Sequence, residues 1–144
     1  MRLTVHRELF KQHTAEALRE CGILWLVFSV LDAEEVRELQ EQVGAIHMNE
    51  ALIDYLMAIV HTTRTHDEVA LGVSTRGALT YFKACQALAM VSGRDFVVPD
   101  DVKRLAAPVL SHRILMKERR SLRGDATAEV RFIARVVNEV PVPR

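Results

Sequence analysis

Apolar residues return along most of this chain at steps of three and four, the spacing that places side chains on one face of an α-helix. From Thr4 to about Cys21 the stripe is Leu9, Phe10, Ala17, Leu18 and Cys21. Residues 23–31 break the rhythm: they are apolar almost throughout, rich in β-branched and aromatic side chains, and read as a strand or a buried connector. Helical spacing resumes over residues 33–47 in Val36, Leu39, Val43 and Ile46, behind an N-cap at Asp32 and with Glu34 and Glu35 in the first turn. Asn49 caps the next helix, whose stripe is Leu52, Tyr55, Leu56, Ile59 and Val60 and which is expected to end near Arg64.

From His66 to Val73 the chain is polar and turns at Gly72, which predicts a surface linker. Ser74 then caps a helix running to about Ser92 and stopping at Gly93, with Ala78, Tyr81, Phe82, Cys85, Leu88 and Ala89 inward. Arg76, Thr80 and Lys83 share a different stripe of that helix. Pro99 suits a first helical position, Asp100 and Asp101 meet the positive helix end, and Val102, Leu105, Ala106 and Val109 point inward. Pro108 has no N–H to donate, so this helix should kink or stop nearby, with HRILM (112–116) extended after it. A basic stretch from Arg113 to Arg123 leads to Gly124 and a last helix over 127–139, with Val130, Ile133, Ala134 and Val137 inward. The tail VPVPR is too rich in proline to continue it. No internal repeat is present, and the expected fold class is all-α, a helical bundle of five to six helices.

Composition narrows the function classes. The 144 residues are 49% apolar and 26% charged, as in one soluble domain able to bury a core. Nineteen Lys and Arg balance nineteen Asp and Glu, so no global field draws the chain to nucleic acid or an acidic membrane surface. The run GILWLVFSVL at 22–31 is about half of the ~20 residues a helix needs to span a bilayer. Acidic Glu8, Glu16 and Glu20 precede it, which does not suit a signal peptide. Cys21 and Cys85 form no CxxC pair, and a reduced, cytoplasmic setting fits them.

Catalytic constellations are missing from the sequence: there is no GxxxxGK[ST] loop, no GxGxxG, no HExxH and no GxSxG. The chain alone is therefore not expected to catalyse, and no catalytic residue is assigned. His61 and His66, five apart, do not share a helix face, so no metal site is expected. Cys85 lies among core positions, where a thiol behaves as a small hydrophobe. The cluster Arg113, Lys117, Arg119, Arg120 and Arg123 could contact phosphates, but no aromatic residue is interleaved to stack on bases, and a solvated loop is the simpler reading.

Three stretches together carry a family resemblance. VLDAEEVRELQEQV leads to IHMNEALIDYLMAIVHTTRTH; GVSTRGAL opens the long helix that ends toward SGRDFVVPDDVKRLAAPVLSHRI; and VPVPR closes the chain. From about Leu31 to the end, roughly four fifths of its length, the chain resembles the C-terminal helical lid of MoxR-type AAA+ ATPases. The resemblance implies a lid-like domain over 31–144, preceded by a segment, 1–30, that does not resemble the end of a MoxR core domain.

It also implies a task. In that family the lid packs beside a nucleotide-binding core that supplies the Walker motifs and holds ATP with Mg, and a Ser-Pro-Arg-Ala-like turn carries a sensor arginine. The matching positions are Ser74, Thr75 and Arg76, with Arg76 as the ATP phosphate sensor. A guanidinium is always charged and offers forked donors to phosphate oxygens, and a helix N-terminus adds backbone donors. Implied partners are the AAA+ core or neighbouring ATPase subunits, and proteins with von Willebrand factor A domains, in chaperone-like remodelling. Thr75 and Gly77 depart from the usual proline and alanine, the glycine weakening the helix start by up to ~1 kcal/mol. Val98 stands where a serine or threonine cap is usual. The alternative reading is a stand-alone interaction module that homodimerises or docks on an intact ATPase, with Arg76 a solvated cation.

Overall fold

A computed structural model of the chain describes residues 32–117 and 127–143. The helix and apolar run expected within 1–31, Cys21 included, and Arg119, Arg120, Arg123 and Gly124 lie outside the described residues. Five α-helices are described: α1 (Ala33–Val43), α2 (Glu50–Thr65), α3 (Thr75–Val91), α4 (Pro99–Leu110) and α5 (Thr127–Glu139). One antiparallel pair of short strands, β1 (Val69–Leu71) and β2 (Leu115–Met116), and a 3-10 turn at Ser111–Arg113 complete the order. The fold is all-α, as the periodicity predicts.

Contacts divide the chain into Met1–Gln40 and Glu41–Arg144. Of the first unit, the start of α1 is described. There Asp32 and Glu35 form a reciprocal capping box: Asp32 Oδ1 accepts the Glu35 N–H at 2.8 Å, and Glu35 Oε2 accepts the Asp32 N–H at 2.9 Å. No residue of α1 is buried, and Val36 is 40% exposed. The helix stops at Val43 rather than 47. The N–H groups of Gly44, Ala45 and Ile46 bond back three residues, and His47 turns both its backbone groups to Asp95 O (2.8 Å) and Val97 N (2.9 Å). This short parallel bridge between His47 and Phe96 claims hydrogen bonds that a longer helix would have kept for itself.

The second unit builds its core from α2, α3, α4 and α5. Asn49 caps α2 as expected, its side chain accepting the Ala51 N–H at 3.0 Å. Leu56, Ile59 and Val60 of α2 pack with Tyr81 and Cys85 of α3, Val102 and Leu110 of α4 and Ile133 and Val136 of α5, all at most 2% exposed. Two tyrosines tie helices together through their hydroxyls, Tyr81 donating to Val102 O and Tyr55 to Val137 O at 3.4 Å. Burial, then the neighbouring Cys85 and Tyr55, raise the Tyr81 phenol above its ordinary value, so it remains a neutral donor.

Several inward positions differ from the stripe. In α5, Ile133 and Val137 are buried as predicted, but Phe132 and Val136 join them, while Val130 is 40% exposed and Ala134 is exposed. Phe132 turns inward because His66 meets its ring edge-on at 4.9 Å and Arg135 lies over it at 5.5 Å. In α3, Phe82 and Leu88 are only half-buried, and Gln86 is buried instead, donating to Ile46 O at 2.7 Å.

The 66–73 segment is not a plain surface linker. Val69 and Val73 are buried, and β1 pairs with β2, Val69 opposite Met116 and Leu71 opposite Leu115, with an irregularity between. The extended HRILM reading is met at its end, Leu115–Met116, after the 3-10 turn. What the linker reading lacked was a partner: three residues cannot make a strand until the two after α4 come alongside.

Helix ends follow local chemistry. Gly93 adopts φ 77° and closes α3 with a Schellman pair, Arg94 N to Ala89 O at 3.0 Å and Gly93 N to Met90 O at 2.9 Å. Pro108 lies in the last turn of α4, which ends two residues later at Leu110. Val98 provides no side-chain cap, yet the helix start is held: Asp101 Oδ2 accepts the Val98 N–H at 2.9 Å, and Arg94 forks onto Asp101 at 2.7 and 2.8 Å.

Burial would push the Asp101 carboxyl up, but the Arg94 and Val98 hydrogen bonds and the charges of Arg94 and Arg104 outweigh it, leaving it below the ordinary aspartate value. A carboxyl depressed in the fold stabilises it fully above the unfolded value, about 3.9, and loses that contribution as pH falls through the lower folded value. Acid unfolding followed by circular dichroism is expected to show stability falling below about pH 4. In Asp101→Asn, the neutral-pH plateau should be lower and the acid limb shallower.

Candidate functional site

The turn entering α3 is fixed from two sides. Val73 is 1% exposed; its N–H donates to Thr63 Oγ1 at 3.1 Å, and its carbonyl accepts Arg64 Nε at 2.7 Å. Thr63 is itself fully buried and donates its hydroxyl to Val60 O at 2.6 Å. Gly72 lets the strand exit lie against the end of α2: a Cβ there would stand 2.6 Å from Arg64 Cα and 2.7 Å from Thr63 O.

Ser74 is the N-cap predicted, accepting the Gly77 N–H at 3.2 Å. Ser74, Thr75 and Arg76 are all exposed, so the structure brings the three predicted residues together at one open helix end. Among the described helices, α3 alone has no acidic residue in its first turn; α1, α2, α4 and α5 each carry one or two. Arg76 thus adds a fixed cation to a positive pole that no acidic residue of its own first turn compensates, an arrangement unfavourable to the helix and favourable to an anion.

Gly77 now has a spatial reason. It is buried, and a Cβ there would meet Val73 Cγ1 at 2.8 Å and Arg113 Cδ at 3.4 Å. An alanine would press on the valine that anchors the turn. Arg113, one of the basic cluster, lays its stem over Gly77 and donates Nε to Val109 O at 3.0 Å.

Beside this turn, α2 and α3 flank an open groove of about 320 Å³. Ile53, Leu56, Met57, Ala78, Leu79 and Phe82 line it, with Arg64 and Thr75 also on its wall. In sequence Arg64 marks only the end of a helix. Its contribution depends on a carbonyl nine residues away, which no periodicity reveals.

Other candidates separate from the site. His66 Nδ1 accepts the Glu68 N–H at 3.2 Å and its ring packs on Phe132, while His61 is exposed. Among the described residues no three His, Cys, Asp or Glu side chains are grouped to hold a metal, and no helix is long and apolar enough to cross a membrane. Cys85 is fully buried, and burial, then the Asp101 carboxylate, push its thiol up to about 12. In a Cys21→Ser variant, a disulfide reagent such as DTNB is expected to label Cys85 only on unfolding; rapid labelling of the native protein would contradict this burial.

A family model described as the AAA lid domain matches residues 61–132, half of the chain and the part containing Thr63, Gly72, Arg76 and the Arg94–Asp101 pair. The chain belongs to the AAA lid domain family. Its relatives narrow this to the lid region of a MoxR-type AAA+ ATPase. The uncharacterized protein YeaC of Bacillus subtilis (strain 168) is 39% identical over 116 residues, 80% of this chain and 36% of that protein. Chaperone MoxR1 of Mycobacterium tuberculosis is 32% identical over 124 residues, 80% of this chain and 32% of that protein. The AAA lid described here therefore spans about a third of the length of these relatives. Its fold matches the crystal structure of a candidate ATPase from Cytophaga hutchinsonii with a TM-score of 0.74 at 23% identity, over 93% of this chain and 44% of that one.

Proposed function

We propose that this AAA lid works in the cytoplasm with the nucleotide-binding core of a MoxR-like ATPase, giving Arg76 to the phosphates of ATP and so coupling nucleotide state to chaperone-like remodelling. The observation that carries it is the first turn of α3, where an exposed Arg76 stands on a helix N-terminus whose first turn holds no acidic residue. That donor set fits a polyphosphate: a permanent cation with forked donors, next to backbone N–H groups. Ser74 keeps the turn formed and Thr75 leads from it into the helix. ATP and its Mg would be held chiefly by the core, which supplies the Walker motifs; the bound nucleotide brings the phosphoryl group to be cleaved. Partners on this reading are the core, neighbouring ATPase subunits and proteins with von Willebrand factor A domains.

Calorimetric titration of ATP into the chain, alone and mixed with a separate MoxR core domain, tests this. Weak or no binding alone, with tighter binding and faster turnover in the mixture, is expected. A chain that leaves the core's affinity and turnover unchanged overturns it. A stand-alone homodimerising module is favoured by one observation, the exposed apolar side chains of Leu79 (59%) and Met57 (42%) at the groove. Light scattering after size-exclusion chromatography separates the two, since that reading requires a tight dimer that covers Arg76.

A further inference from the structure

We infer that Thr63 and Arg64, the side chains at the end of α2, are positioning residues for Arg76, an inference that rests on the sensor reading above. Both polar backbone groups of a single residue, Val73, are taken by two adjacent side chains of another helix: the N–H by Thr63 Oγ1 at 3.1 Å and the carbonyl by Arg64 Nε at 2.7 Å. Val73 precedes the Ser74 cap and stands three residues before Arg76.

The grip has three further supports. Thr63 is fully buried and its hydroxyl is oriented by donating to Val60 O at 2.6 Å, which leaves its lone pairs for Val73. Gly72 brings the two backbones closer than any side chain would permit. Arg64 uses Nε for the turn, and its side chain reaches the groove wall that Thr75 shares. The start of α3 is therefore fixed to the end of α2 as one body, and a displacement of either moves Arg76. A guanidinium that must meet a phosphate oxygen in the correct geometry is sensitive to such displacement.

ATP turnover of the chain combined with a MoxR core domain provides the test. Thr63→Val, which keeps shape and loses the hydroxyl, and Arg64→Met, which keeps the stem and loses Nε, are each expected to lower turnover about 3- to 10-fold. Both should split between kcat and KM as Arg76→Ala does. Thr63→Ser should restore turnover, and neither substitution should cost anything further when combined with Arg76→Ala. Circular dichroism checks folding, and if Thr63→Val unfolds, the exposed Arg64→Met decides.

Folded variants with full turnover would overturn the positioning role and leave the sensor reading standing. A loss that persists undiminished in the Arg76→Ala background would overturn it too, because the residues would act elsewhere. If Arg76→Ala itself changes nothing, or the chain activates no core, the sensor reading fails and this inference with it.

Discussion

Arg76→Ala is expected to lower the ATP turnover of the lid combined with its core by about 10² while making the isolated lid slightly more stable. On the sensor reading, loss of activity follows from removing a cation placed to meet developing phosphate charge, where single donors carry effects of that size. The gain in stability follows from the same side chain seen from the helix. A cation in the first turn opposes the macrodipole by about 0.3–1 kcal/mol, and alanine is the better helix former. Arg76 is exposed on α3, so packing among the described residues does little to offset this. Opposite signs in the two measurements would mark a residue kept for function. Turnover assays and urea denaturation provide them; a destabilised Arg76→Ala, or one with unchanged turnover, contradicts the sensor role.

Gly72→Ala is expected to produce the largest loss of stability, about 3 kcal/mol by urea denaturation, because overpacking here has no soft neighbour to yield. The added Cβ would lie 2.6 Å from Arg64 Cα, 2.7 Å from Thr63 O and 2.8 Å from Arg64 N, all backbone atoms of the last turn of α2. Strand exit and helix end would have to separate, loosening the bonds that hold Val73. Gly93→Ala serves as the comparison. Gly93 has open space around it and a φ of 77°, so an alanine there strains only its own backbone and should cost about 1–2 kcal/mol. If the two substitutions cost the same, the close packing at Gly72 is not what the glycine serves.

The contrast between these glycines shows which signals a sequence carries. Gly93 was legible because a glycine after a helical stripe announces a left-handed C-terminal position. Gly72 in sequence signals only a turn, although it lets two segments approach. Caps behaved like Gly93: Asp32, Asn49 and Ser74 satisfy N–H groups two or three residues away, and each does so here. Asp101 reads as a charge for the helix pole, and its bond to Val98, three residues away, is equally local; its fork with Arg94 is what requires α3 to end beside α4.

The sequence by itself determined where α2 to α5 lie, that the fold class is all-α, and that Ser74, Thr75 and Arg76 open a helix. Those features rest on interactions between residues three or four apart, which the order of the chain dictates. Tertiary structure decided that α1 stops at Val43, because His47 pairs with Asp95 and Val97, and that Val69–Leu71 becomes a strand, because Leu115–Met116 comes alongside. It also decided that Thr63 and Arg64 hold the turn bearing Arg76. Each of these depends on a backbone group whose partner is distant in sequence, and only the folded chain brings the two within hydrogen-bonding reach.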